Sequence, residues 1–273
     1  MSCGEHEMMP KRRAAGSAGQ RATDFSKQGV DDEELRPAYY AARPGFWRDW
    51  WTLLHPPYTA WILSYVVIGA SLAHRVEVSR LLVSVLAFFL AVGLSAHALD
   101  ELNGRPLRTK IPSAVLAGVA IFGLVGALAL GVVGVTQIGW PLVPFMCVGA
   151  LVVVAYCLEL FGGAFHNDLT FASAWGAFPV LTAYVGQTGR LALAPAIASI
   201  AAFALSLAQR SLSTPARLIR RRARAVDGIL TLVNGQTLTL RQDVLLAPLE
   251  RALRATSWAI VLIAASFAVA RLS

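Results

Sequence analysis

The chain has 273 residues, of which 56% are hydrophobic and 15% charged, with a mean hydropathy of +0.58. A soluble domain carries nearer a quarter charged residues, and the apolar residues here form runs of roughly 17 to 25, the length of a bilayer-spanning helix, so a soluble globular enzyme is excluded. The net charge of +8 sits largely on arginines flanking those runs, which read as topology determinants and contacts to anionic lipid headgroups, with no nucleic-acid partner.

Residues 1–45 read as a cytoplasmic N-terminal tail without secondary structure, because the first thirty are rich in Gly, Ser, Ala and Arg and contain no apolar core. Trp47, Trp50 and Trp51 then mark an interfacial aromatic belt. Seven spans follow, at Tyr58–Ala73, Leu81–Leu99, Ile111–Val135, Trp140–Phe161, Leu169–Gln187, Leu191–Ala208 and Ala255–Ala270. The expected fold class is therefore all-α, a polytopic transmembrane bundle whose first six spans lie within residues 46–209. Residues 210–254 form a basic cytoplasmic segment and 255–273 a last span. In that segment, Gly228–Leu240 alternates about Asn234-Gly235 and predicts a β-hairpin with a type I′ turn. The leucines of Asp243–Arg254 recur at helical spacing and predict an amphipathic helix on the membrane surface.

Orientation follows from Lys and Arg. Eight lie before the first span, three in 105–110 and nine in 210–254, against Arg75, Arg80 and Arg190 on the opposite side and Arg271 near the C-terminus. That bias predicts a multi-pass cell-membrane protein with its N-terminus in the cytoplasm and its C-terminus outside. The three cysteines, Cys3, Cys147 and Cys157, have no ligand-like spacing and form no disulfide framework.

Polar residues at the cytoplasmic span ends are the candidates for chemistry. His97, Asp100 and Glu101 stand at i, i+3 and i+4 on one helix face, and Arg105, Arg108 and Lys110 follow directly. Carboxylates beside cations suit a phosphate-bridged divalent cation, although a charged loop that sets topology has the same composition. A second cluster, Glu159, His166, Asn167 and Asp168, falls between spans four and five on the same side. Ionisable groups at such a depth are candidate sites, while Asn167 or Asp168 would equally serve as a helix N-cap. His55 marks a helix start, and Tyr156 and Tyr184 lie deep enough to line a cavity.

The stretch Ala96–Lys110 resembles the first aspartate-rich motif of the UbiA superfamily of intramembrane prenyltransferases, Asn-Asp-x-x-Asp-x-x-x-Asp followed by an Arg-Pro-Leu-like segment. Ala96, His97, Asp100 and Gly104 occupy the motif positions here, and Arg105-Pro106-Leu107 follows. Tyr156 through Asp168, Trp175-Gly176, Tyr184 and Gln187-Thr188-Gly189 are similar to the family's fourth and fifth helices. The resemblance covers roughly Pro56 to Pro215. It implies a helical bundle around a central cavity in which Mg²⁺ binds a prenyl diphosphate and the prenyl group passes to a lipophilic acceptor, aromatic or lipid. Asp100, with Glu101 and His97, would hold metal, and Arg105, Arg108 and Lys110 would neutralise the diphosphate. The position of the second aspartate motif reads Gln209-Arg210-Ser211-Leu212-Ser213-Thr214-Pro215, without a carboxylate. Asp168 and Glu159 are the groups left to complete a metal site. The alternative is a non-catalytic relative that binds a lipid or scaffolds other membrane proteins, and a small transporter is a third reading.

Overall fold

The computed structural model describes residues 37–41 and 47–272. The expected tail lies outside them except for Pro37–Ala41. This short turn is packed: Ala38 and Ala41 are buried, the Arg221 Nε donates to the Pro37 carbonyl, and the Trp51 indole donates to the carbonyl of Tyr40.

Among the described residues six helices are long and apolar enough to cross a membrane by length and composition. They are α3 (Val78–Leu102), α4 (Ser113–Ile138), α5 (Trp140–Cys157), α6 (Asp168–Thr188), α7 (Leu193–Arg222) and α8 (Gln242–Leu272). Before them come the short α1 (Arg48–Leu53) and α2 (Pro56–Ser71), the apolar helix at the first predicted span. Pro56 and Pro57 open α2, where a missing N–H costs nothing and the fixed φ is already helical.

Close approach of backbones holds the bundle together, as expected where lipid gives no hydrophobic drive between helices. A Cβ on Gly69 of α2 would fall on the Val180 carbonyl of α6, and one on Gly176 of α6 would meet the α7 backbone at Ala202, 2.7 Å away. Two stretches are wound more widely, as π-helix: Phe89–Ala96 in α3 and Ser173–Ala177 in α6. They meet in one buried cluster, where Val92 and Ala96 pack with Val153, Tyr156 and Trp175.

Several span boundaries move. α5 stops at Cys157, short of the predicted Phe161, because Glu159 and Phe161 take left-handed φ values of 50° and 58° that break the helix. α7 runs to Arg222, beyond the predicted Ala208. The surface helix expected at Asp243–Arg254 is not a separate element. It is the first part of α8, and its Leu246 and Leu253 are buried against the protein's own bundle. Arg220 of α7 clamps Glu250 of α8 through Nε and through Nη2 at 2.8 Å, which fastens the two extensions together.

The hairpin forms as β1 (Gly228–Thr231) and β2 (Thr237–Leu240), antiparallel, with Ile229 opposite Thr239 and Leu230 opposite Leu238. Its turn differs from the expected type I′, which needs positive φ at both central residues. Here Gly235 alone is left-handed (φ 83°), Gly235 N–H donates to the Leu232 carbonyl, and Leu232 N–H donates to Gln236. That is a three-residue loop closed by a glycine bulge, with the Asn234 side chain accepting from Gln236 N–H.

Candidate functional site

One end of the bundle gathers most of the predicted site residues. The end of α3, the end of α5, the start of α6 and the polar half of α7 meet there, but the side chains are not arranged as one metal cluster.

His97, Asp100 and Glu101 point to three different neighbourhoods. Glu101 is fully buried, and its carboxylate accepts from Leu107 N–H (3.0 Å), Thr109 N–H (2.8 Å) and the Thr109 hydroxyl (2.8 Å). It therefore shapes the loop after α3, with charge-assisted bonds occupying both oxygens. His97 is buried with Nδ1 3.2 Å from the Gly93 carbonyl, and its ring lies 4.3 Å from that of His55. Asp100 faces the other way, against the Cys157 thiol, with His166, Glu159 and Arg217 around it.

His55 repeats the pattern of His97, with Nδ1 2.8 Å from the Leu53 carbonyl. A carbonyl partner fixes the proton on Nδ1 of each neutral ring and leaves Nε2 as an acceptor. Burial lowers the His55 pKa well below its usual value. Repulsion from His97, Arg221 and Arg217 adds to this, and the Leu53 carbonyl opposes it. His55 also adopts a left-handed φ of 46°, uncommon for a residue with a side chain.

The three cations expected to meet a diphosphate do not converge. Arg105 turns back on its own loop, donating to the Ile111 carbonyl (2.6 Å) and the Ser113 hydroxyl (2.6 Å). Arg108 and Lys110 are exposed, and the Lys110 backbone N–H is held by Asp49. In the second cluster Asn167 is the N-cap of α6, accepting from Thr170 N–H. Asp168 is paired with Arg210 at 2.8 Å. Glu159 lies 3.8 Å from His166, whose ring stacks on Tyr156 with centroids 4.5 Å apart.

Mg²⁺ is implied by the family resemblance, and its fit can be judged from these contacts. Glu101 is saturated, His97 is turned to His55, and Asp168 is neutralised by Arg210. Among the described residues no three His, Cys, Asp or Glu side chains come together as a group able to hold a metal ion. The residues present do not fit the ion, and no step is routed through it.

Beneath Asp100 lies an aromatic layer. Tyr156 and Trp175 are 4.6 Å apart, Phe171 stacks parallel to Trp175, and the Arg210 guanidinium lies 5.0 Å over Phe171. On the far side of Trp175 a cavity of about 260 Å³ runs between α3, α4, α5 and α6. Its walls include Phe88, Leu128, Gly131, Phe145 and Phe178, and its one charged residue is Arg80.

Reading the sequence for polar clusters missed this cavity, since a void among apolar residues has no one-dimensional signature. It also passed over Arg210 as a site residue, and Arg217, which α7 carries to the mouth only because the helix continues past Pro215. Cys157, set aside for its spacing, is the neighbour of Asp100. The fold and site define a mostly helical protein with six candidate membrane-spanning helices among the described residues and a half-open apolar cavity beside a polar mouth. No protein-family model matches the chain, and neither a curated protein nor a solved structure matches it.

Proposed function

We propose that the chain is a UbiA-like membrane protein that binds the hydrocarbon chain of an isoprenoid or similar single-chain lipid, with seven spans counting α2 and its polar mouth in the cytoplasm. The observation that carries this is the apolar cavity among α3–α6, with Trp175 in its lining. Ligand pockets are mostly apolar with a few placed polar groups, and this one has that composition. The Asp100 and Arg105-Pro106-Leu107 resemblance supports the same class. The test is saturable binding of a tritiated C15 or C20 polyprenol to purified protein in nanodiscs, with Ala127→Phe filling the cavity wall. Affinity should fall at least about tenfold, the cost of a displaced chain segment of two or three methylenes, while thermal stability is kept. Equal binding by the two proteins would dismiss the cavity as the site.

Prenyl transfer from a diphosphate donor is the second reading, favoured by one observation. Asp100 is in none of the ion pairs among the described residues, and it faces His166 and Arg217 at the mouth. On this reading diphosphate release from a panel of isoprenyl diphosphates is lost in Asp100→Ala. Release that is absent, or indifferent to that change, leaves binding alone.

A further inference from the structure

The cavity is not uniform along its length. Toward Trp175 its polar lining residues are the neutral Thr170 and Ser173, whereas at the opposite end, where α3 begins and α4 and α6 finish, the charged Arg80 lines it beside Ser84 and Gln137. Along α4 the lining runs from Leu124 to Ile138, about 21 Å at 1.5 Å per residue. A slot of that length and of about 260 Å³ admits one extended chain lying along the bundle axis.

Arg80 is held where it can meet such a chain's end. Its Nη1 donates to the Gln187 carbonyl at 2.9 Å, in the last turn of α6. The Gln187 side chain in turn accepts from Glu77 N–H at 3.0 Å, so the start of α3 is clamped to the end of α6. This accounts for one of the five N–H donors of the guanidinium. The ion pairs among the described residues do not include Arg80, although the side chain is partly buried. A guanidinium at the edge of an apolar cavity, outside the ion pairs among the described residues, is placed to receive an anion. Its planar fork matches a phosphate or carboxylate.

We propose that Arg80 binds the anionic head of the lipid, a phosphate or a carboxylate, and that the chain extends from there along the slot toward Trp175. The head then lies at the end of the bundle opposite Asp100. This rests on the cavity being a lipid-chain site, and it adds which end takes the head and which charge the head bears.

The test uses full-length protein in nanodiscs of neutral lipid, with hexadecyl phosphate, palmitate and hexadecanol as tritiated probes and inorganic phosphate as competitor. The wild type should bind both anionic probes about tenfold more tightly than hexadecanol, the effect of a charge-assisted contact. Arg80→Gln should bring all three within about twofold of one another with hexadecanol binding unchanged, and Arg80→Lys should keep part of the preference. Inorganic phosphate at millimolar concentration should displace none of them, since a head without its chain lacks the cavity contacts; displacement by phosphate alone would assign Arg80 to a free-anion site instead. Equal affinities in the wild type, or a preference that survives Arg80→Gln, would overturn the assignment of the head. If Ala127→Phe binds hexadecanol as the wild type does, the chain site itself fails, and that outcome is separate from the behaviour of Arg80.

Discussion

Glu101 shows how a side chain predicted for one task is committed to another. Its spacing from His97 puts both on one helix face, but the loop that follows α3 folds back over it. Two backbone N–H groups and a hydroxyl then consume both carboxylate oxygens. Truncation would leave the N–H groups of Leu107 and Thr109 buried beside a cavity with nothing to receive them. Glu101→Ala should therefore cost about 3 kcal/mol, in the range for losing charge-assisted bonds to a buried acceptor. Glu101→Gln retains the shape but not the charge, and its amide presents one acceptor oxygen where two were used; it should cost roughly half as much. Both are read from thermal unfolding in a fixed detergent. A metal-ligand role for Glu101 predicts the reverse pattern, with folding kept in both variants and only metal-dependent behaviour lost.

At the scale of elements, much was legible because lipid and water impose simple rules on apolar runs. The helices from α2 to α6 fall within a few residues of the predicted spans, and the hairpin follows from alternation about Asn234-Gly235. What was not legible lies where a local rule is overruled by tertiary contact. Pro215 ought to end α7, since it lacks an N–H and crowds the carbonyl of Ser211, yet the helix continues to Arg222. Ser211 is exposed, so water can satisfy the carbonyl that the proline leaves free, and the Arg220–Glu250 clamp holds the extension in place. The leucines of Asp243–Arg254 have the spacing of a surface helix because a stripe facing lipid and a stripe facing the protein's own core have the same period. The candidate site was half legible for a related reason. Sequence spacing brought Asp100, Glu159, His166 and Asp168 to one end, but the direction of each side chain depends on partners many residues away.

For the molecule as a whole, the charge distribution becomes an argument about both faces of the membrane. Asp168 bonded to Arg210 and the carboxylate of Asp100 facing Arg217 put the 105–110 loop and the 210–254 segment at one end. Arg80, bonded to the end of α6, and Arg271, bonded to the Ser71 carbonyl at the end of α2, mark the other. Three and nine Lys or Arg residues therefore share an end that the sparsely charged end opposes, and basic loops are retained on the cytoplasmic side. The prediction is that Arg108 lies inside the cell and Arg190 outside. Two full-length variants, Arg108→Cys and Arg190→Cys, made where Cys3, Cys147 and Cys157 are replaced by Ser, test it in intact cells with a membrane-impermeant maleimide. The Arg190→Cys variant should label at once, and the Arg108→Cys variant only after permeabilisation. The opposite order would invert the molecule, place the Asp100 mouth outside, and turn the Arg80 end of the cavity toward the cytoplasmic leaflet. On the proposed lipid reading the same experiment assigns the leaflet that the head at Arg80 faces, because the slot has one charged end.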